Sequence, residues 1–240
     1  MLKSAMTALF VSTAVLAPAA MAQDAAAPAE AQAAATALTP EQVEAQNKAV
    51  ADFNAAQQAQ AAGNHAEAIA KMEPALPTIR EIAARDTANV QNAGFLASAL
   101  TITANSQGAL GKIDAIAPLF AEAAPQWMKV YQADKANVGV RNTLVAILVN
   151  LGNFSLSKQD KTAARPHFEQ ALAIAKEGRA TDPTSADLAN AEFSSLIGLN
   201  QSTGEASYLD AAKTVGVELR EKGIVSAANQ PAVDAILGAA

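Results

Sequence analysis

Cysteine is absent from all 240 residues. That excludes a disulfide, a thiolate nucleophile, a cysteine-ligated metal and a lipid-modified cysteine anchor. Aromatic residues are nearly as scarce, at 4% with one tryptophan. A sheet core calls for more β-branched and aromatic side chains than that. Alanine supplies the larger part of the 51% hydrophobic content, and alanine is the strongest helix former. Basic residues are outnumbered, 17 against 23 acidic, for a net charge of −6. Basic runs and basic–aromatic clusters are both missing, so neither nucleic acid nor an anionic lipid surface is an expected partner.

Catalytic and metal-binding patterns are also lacking. His65 and His167 are the only histidines, far apart and with no neighbouring carboxylate pattern of a metal site. Gly108-Ala109-Leu110-Gly111-Lys112 has the wrong glycine spacing for a phosphate loop, and Ile113 stands where Ser or Thr is needed. It reads as a turn. Serines are scattered, without a G-x-S-x-G elbow. The expectation is a non-catalytic chain with no metal and no cofactor.

What is present begins with an export pattern. Lys3 supplies a positive start, Ala5–Ala17 a short apolar stretch, and Ala20-Met21-Ala22 a small-residue cleavage site. The apolar stretch is too short and too alanine-rich to span a membrane well. Residues 1–22 are therefore expected to be a signal peptide, cleaved after Ala22, giving a periplasmic or secreted protein without membrane insertion. Residues 23–38 (QDAAAPAEAQAAATAL) carry no large apolar side chain before Leu38. Such a segment cannot offset the entropy of ordering and reads as a linker.

Residues 39–223 repeat. Asp86, Asp134 and Asp182 are 48 apart, two of them opening DTANV and DKANV. Each is expected to cap a helix start, with Pro183 at a first helical position. Thr39-Pro40-Glu41-Gln42 spells a capping box. Other columns share the period: Leu100, Leu148 and Leu196, with Asp52 as the exception; Ala75, Ala123 and Ala171; Ala68, Ile116, Ala164 and Ala212; and Met72, Phe120 and Phe168, broken by Gly216. These give four helical units over 39–85, 86–133, 134–181 and 182–223. Pro74, Pro77 and Pro125 lie deep in helical patterns, where kinks or short helices with irregular continuations are expected. Residues 224–240 form a capping segment, with Val233, Ile236 and Leu237 as its apolar stripe.

The stretch Leu144–Lys176 shows the unit best. Leu148, Leu151, Gly152 and Ser155 make one face, and Ala164, Phe168, Ala171 and Leu172 the facing stripe, across a polar turn at Ser157–Asp160. It resembles a tetratricopeptide repeat, and Ala55–Leu76 is the next most similar stretch. The resemblance implies an all-α, right-handed solenoid of about four stacked helical hairpins with a C-terminal capping helix. The family's unit is about 34 residues. A 48-residue period therefore demands longer helices or longer connections.

Gln57, Asn105, Asn153 and Gln201 place one side-chain amide in each unit, 48 apart. The resemblance sets them just after the small residue of the first helix, on the side that lines a concave groove. An amide both donates and accepts, so a row of them can pair with the backbone of an extended peptide. In some family members an asparagine here grips a terminal carboxylate with neighbouring lysines and arginines. Here those neighbours are Val50, Phe53, Ser98, Ile102, Ala146 and Asn150, so the cationic half is missing. The amides can equally cross-link helices or face water. The expected function is a scaffold or adaptor for a protein or extended peptide segment. The alternatives are a small-molecule-binding protein or enzyme with a site assembled from distant residues, and a self-associating structural envelope protein. The export pattern is checked by N-terminal sequencing of the mature protein, which should read Gln23-Asp24-Ala25. A retained Met1 overturns it.

Overall fold

The computed structural model describes residues 38–238. The expected signal peptide, linker residues 23–37 and the last two residues lie outside the described part. Nine α-helices follow one another: α1 (Pro40–Ala61), α2 (His65–Arg85), α3 (Val90–Ala109), α4 (Ile116–Ala133), α5 (Val138–Ser157), α6 (Lys161–Thr181), α7 (Ala186–Thr203), α8 (Ala206–Glu221) and α9 (Gln230–Leu237). A 3-10 turn at Ile113–Ala115 leads into α4. Among the described residues there is no strand. Each helix packs on its successor, and α1 also reaches α3 while α5 reaches α7. The connections from α1 to α8 are short, and these helices run from 16 to 22 residues. Long helices, not long loops, make up the 48-residue spacing.

Side-chain caps fix the starts of α1, α3, α5, α6 and α7; the expected Thr39 cap forms, whereas α3, α5 and α7 use residues other than the expected aspartates. Thr39 forms the capping box: its Oγ1 accepts from Gln42 N at 3.3 Å, and Gln42 Oε1 accepts from Thr39 N at 3.0 Å. The N-caps of α3, α5 and α7 are Asn89, Asn137 and Ser185, each accepting from the backbone three residues on. Asp86, Asp134 and Asp182 sit three residues earlier and end the preceding helices. Each turns its carboxylate onto the backbone N–H two residues on, an Asx turn. Pro183 belongs to that turn and precedes the first residue of α7. Both columns keep the period, so spacing alone could not separate turn from cap.

The prolines do not shorten the helices. Pro74 and Pro77 lie inside α2, Pro125 inside α4 and Pro166 inside α6. All four are exposed, as are Ala70, Ala121 and Thr162, three of the residues whose carbonyls lose a partner. Those carbonyls turn to water, so the lost hydrogen bonds are replaced by hydration. The expected irregular continuations are absent because the prolines stand on the wet side.

Phe168 is fully buried. A Cβ built on Gly152 would lie 2.6 Å from its ring, and one on Gly198 would lie 2.4 Å away. The ring of α6 therefore occupies space left by one glycine of α5 and one of α7. Ala104 and Asn150 stand 48 residues before these glycines, and α3 and α5 nowhere bring their Cα atoms within 8 Å of each other. Gly216, which breaks the large-residue column, has a similar account. Phe193 of α7 is fully buried, and a Cβ on Gly216 would meet its ring at 3.2 Å and Leu237 at 3.4 Å. The aromatic has moved from the second helix of the unit to the first. Asp52, the exception in the leucine column, pairs with Lys48 one turn earlier.

The last helix is held by α8 and by the segment before it. Val233 is fully buried, with Ile236 and Leu237 packed on the same cluster. Arg220 donates to the Gly238 carbonyl at 2.7 Å and to Asp234 at 3.2 Å.

Deleting the Phe168 ring leaves a dry void between two glycines that cannot fill it. Phe168→Ala should cost about 3–5 kcal/mol in denaturant unfolding. His167, only partly buried on the next position of α6, should lose much less on substitution by Ala. Equal losses at the two positions overturn this packing.

Candidate functional site

Gln57 lies on α1, Asn105 on α3, Asn153 on α5 and Gln201 on α7. Gln57 and Asn105 are half-buried, and Asn153 and Gln201 are exposed. The first three each follow a buried small residue, Ala56, Ala104 and Gly152; Asn200 takes that place in the fourth unit. None of the four side chains hydrogen-bonds to another described residue. The row is not evenly spaced, because α3 and α5 stand apart where α5 and α7 meet.

Other amides join the helices. Gln60 donates from α1 to the Ile102 carbonyl at 3.1 Å and to Ser106 Oγ at 3.4 Å on α3. Asn92 of α3 donates to the Ile82 carbonyl at 3.3 Å, and Gln107 to Glu73 at 3.0 Å, both on α2. Asn142 of α5 reaches Asp187 of α7 at 3.3 Å. Near the C-terminus, Asn190 donates to the Ile224 carbonyl at 2.7 Å and accepts from Ser226 N at 2.8 Å. Asn229 donates to the Asn190 carbonyl at 2.9 Å and accepts from Ser194 at 2.8 Å. Sequence reasoning missed these residues. Asn190 keeps the 48-residue period with Asn142, but its loop partners Ile224 and Ser226, and Asn229 itself, lie outside the repeating helices.

The charged groups are mostly structural. Arg179 of α6 bonds Glu192 of α7 at 2.5 Å and Glu218 of α8 at 2.6 Å. Burial pulls its pKa down, but the bonds to Glu218 and Glu192 more than offset this and leave it raised. Arg80 of α2 forks onto both oxygens of Glu122 on α4, at 2.7 and 2.8 Å. Tyr131 of α4 is buried and donates to Glu177 of α6 at 2.9 Å, while Lys135 donates to the other oxygen at 2.9 Å. Lys135, then Tyr131, holds the Glu177 carboxyl below its usual range. Burial, then the bond to Glu177, pushes the Tyr131 phenol up to about 12.

His167 is partly buried, and that burial lowers its pKa. His65 opens α2, and its Nδ1 is sealed without a partner. Among the described residues, no three His, Cys, Asp or Glu side chains gather as a metal site. Gly108–Lys112 is the turn closing α3, with Gly111 at φ 76°. No described helix is long and apolar enough to cross a membrane. No protein-family model and no curated protein matches the chain.

The raised Tyr131 phenol gives a pH signature. Its neutral form is favoured in the fold, so its contribution is complete below pH 10 and fades as pH rises toward about 12. Tyr131→Phe should remove that part of the alkaline loss. Denaturant midpoints of wild type and variant, compared across this window, should converge as pH rises; a constant difference overturns it.

Proposed function

We propose that this chain is an exported, periplasmic or secreted, non-catalytic adaptor that binds an extended protein segment on a helical-repeat surface. In this reading α1 to α8 form four stacked hairpins of a right-handed, tetratricopeptide-like solenoid, and α9 caps its end. Sequential packing with the additional α1–α3 and α5–α7 contacts supports the stacking. The observation that carries the function is the division of labour among amides. Gln60, Gln107, Asn142, Asn190 and Asn229 spend their side chains on internal bonds. Gln57, Asn105, Asn153 and Gln201, in one register, are left with theirs unspent. A half-exposed amide with no internal partner is ready to meet a peptide backbone.

A second reading, self-association through the first unit, draws on Val43 and Val50. They stand two turns apart on α1 and are 42% and 45% exposed. Sedimentation of wild type against Val43→Lys/Val50→Lys tests it; a monomeric wild type removes it.

The adaptor reading is tested with Asn105→Ala/Asn153→Ala. Each neutral hydrogen bond lost contributes about 0.5–1.5 kcal/mol, so affinity for a partner captured from periplasmic extract should fall about tenfold or somewhat more. Helicity and melting temperature should hold, because neither side chain bonds the fold. Binding should vary little with salt, since no cationic clamp flanks the amides. Unchanged affinity with a lowered melting temperature would overturn the reading and make these residues structural.

A further inference from the structure

Arg141 stands in the second turn of α5 and is only 4% exposed. Every other arginine among the described residues has a carboxylate: Arg80, Arg85, Arg165, Arg179 and Arg220. Arg141, the most buried of them, bonds no described residue. Its Nε is sealed without a partner, whereas its two Nη nitrogens are not sealed and meet solvent. A buried guanidinium left without an acceptor is costly, so its retention calls for a reason outside the fold.

The repeat shows that the fold does not require this side chain. Ala45, Ala93 and Ala189 occupy the equivalent positions in the other units. Gly178 departs from its own column as well, where Ile82 and Val130 stand. The two departures belong together. A Cβ on Gly178 would lie 2.8 Å from Arg141 Nε and 2.7 Å from Leu188. The glycine makes the notch in which the guanidinium stem lies. Unit three has thus exchanged an alanine–valine pair for an arginine–glycine pair.

The carboxylates around this notch are already engaged by other side chains. The Glu177 carboxylate, on the residue next to Gly178, already holds Lys135 and Tyr131, one on each oxygen. Arg141 acts on this carboxylate only from beyond bonding distance, so its own hydrogen-bonding edge is left without an acceptor. Asp187, the acid opening α7, holds Asn142. Val138, one turn before Arg141 on the same face of α5, is half-exposed.

We propose that Arg141 anchors an oxyanion site at the junction of α4, α5 and α6, binding a phosphate or carboxylate group at its solvent-facing Nη edge. The planar fork matches two oxygens of either group. Partial burial strengthens the attraction relative to bulk water. The site is separate from the amide row and stands or falls independently of it.

The test uses Arg141→Ala/Gly178→Val, which restores the pairing of Ala93 with Val130 and so should fold. Wild type and variant are titrated calorimetrically with inorganic phosphate in one arm and acetate in the other. Ionic strength is low and matched with sodium chloride, and thermal melts are run alongside. Wild type should bind at least one anion and melt higher with it than in the chloride control. The folded variant should bind it at least tenfold more weakly. A stronger phosphate arm assigns a phosphoryl ligand and a stronger acetate arm a carboxylate. Should the double variant unfold, Arg141→Met, which keeps an apolar stem in the notch, serves the same comparison. Glu177→Gln should tighten binding by removing a like charge. Wild type responding to neither anion beyond chloride, or a folded variant binding as well as wild type, overturns the proposal.

Discussion

The ring of Phe168 sets the spacing of the helices around it. It projects from α6 into room vacated by Gly152 on α5 and Gly198 on α7, and no other residue type at those two positions leaves that room. Close packing of this kind converts one large side chain and two absent ones into a fixed helix separation. Where the glycines are replaced by Ala104 and Asn150, α3 and α5 stay apart. The amide row inherits this unevenness, since its members ride on these helices. The spacing of that row follows from where the chain can do without a side chain.

The same trade recurs with other residues. Phe193 stands where earlier units carry Ala49, Ala97 and Val145, and Gly216 stands where they carry Met72, Phe120 and Phe168. Arg141 and Gly178 replace Ala93 and Val130. In each case one residue grows and its neighbour across the helix pair shrinks, so local volume is conserved. A column that breaks in one helix is answered in the helix packed against it.

Much of the helical fold can be read from the sequence because periodic patterns fix which residues face inward. The Thr39 cap, the burial of Phe168, and a final helix carrying Val233, Ile236 and Leu237 all follow from such patterns. The Asp columns misled because Asp favours both caps and Asx turns, and in DTAN and DKAN the asparagine three residues on completes the cap. The prolines misled because their effect depends on which side of the helix faces water. The candidate amides were visible as a column, but whether they were spent internally was not. That depends on pairs such as Gln60 with Ile102 and Gln107 with Glu73, set by how adjacent units pack.

The Phe168 notch also bears on modularity. Its ring needs a glycine in its own unit and a second one in the unit that follows, so half of its socket is supplied from outside the unit. Ile102 and Asn150 occupy the positions corresponding to Gly198 in units two and three. Unit three could precede unit four and no other without a side chain meeting the ring. The four units share a period, yet they are not interchangeable parts: their order along the chain is written into the core.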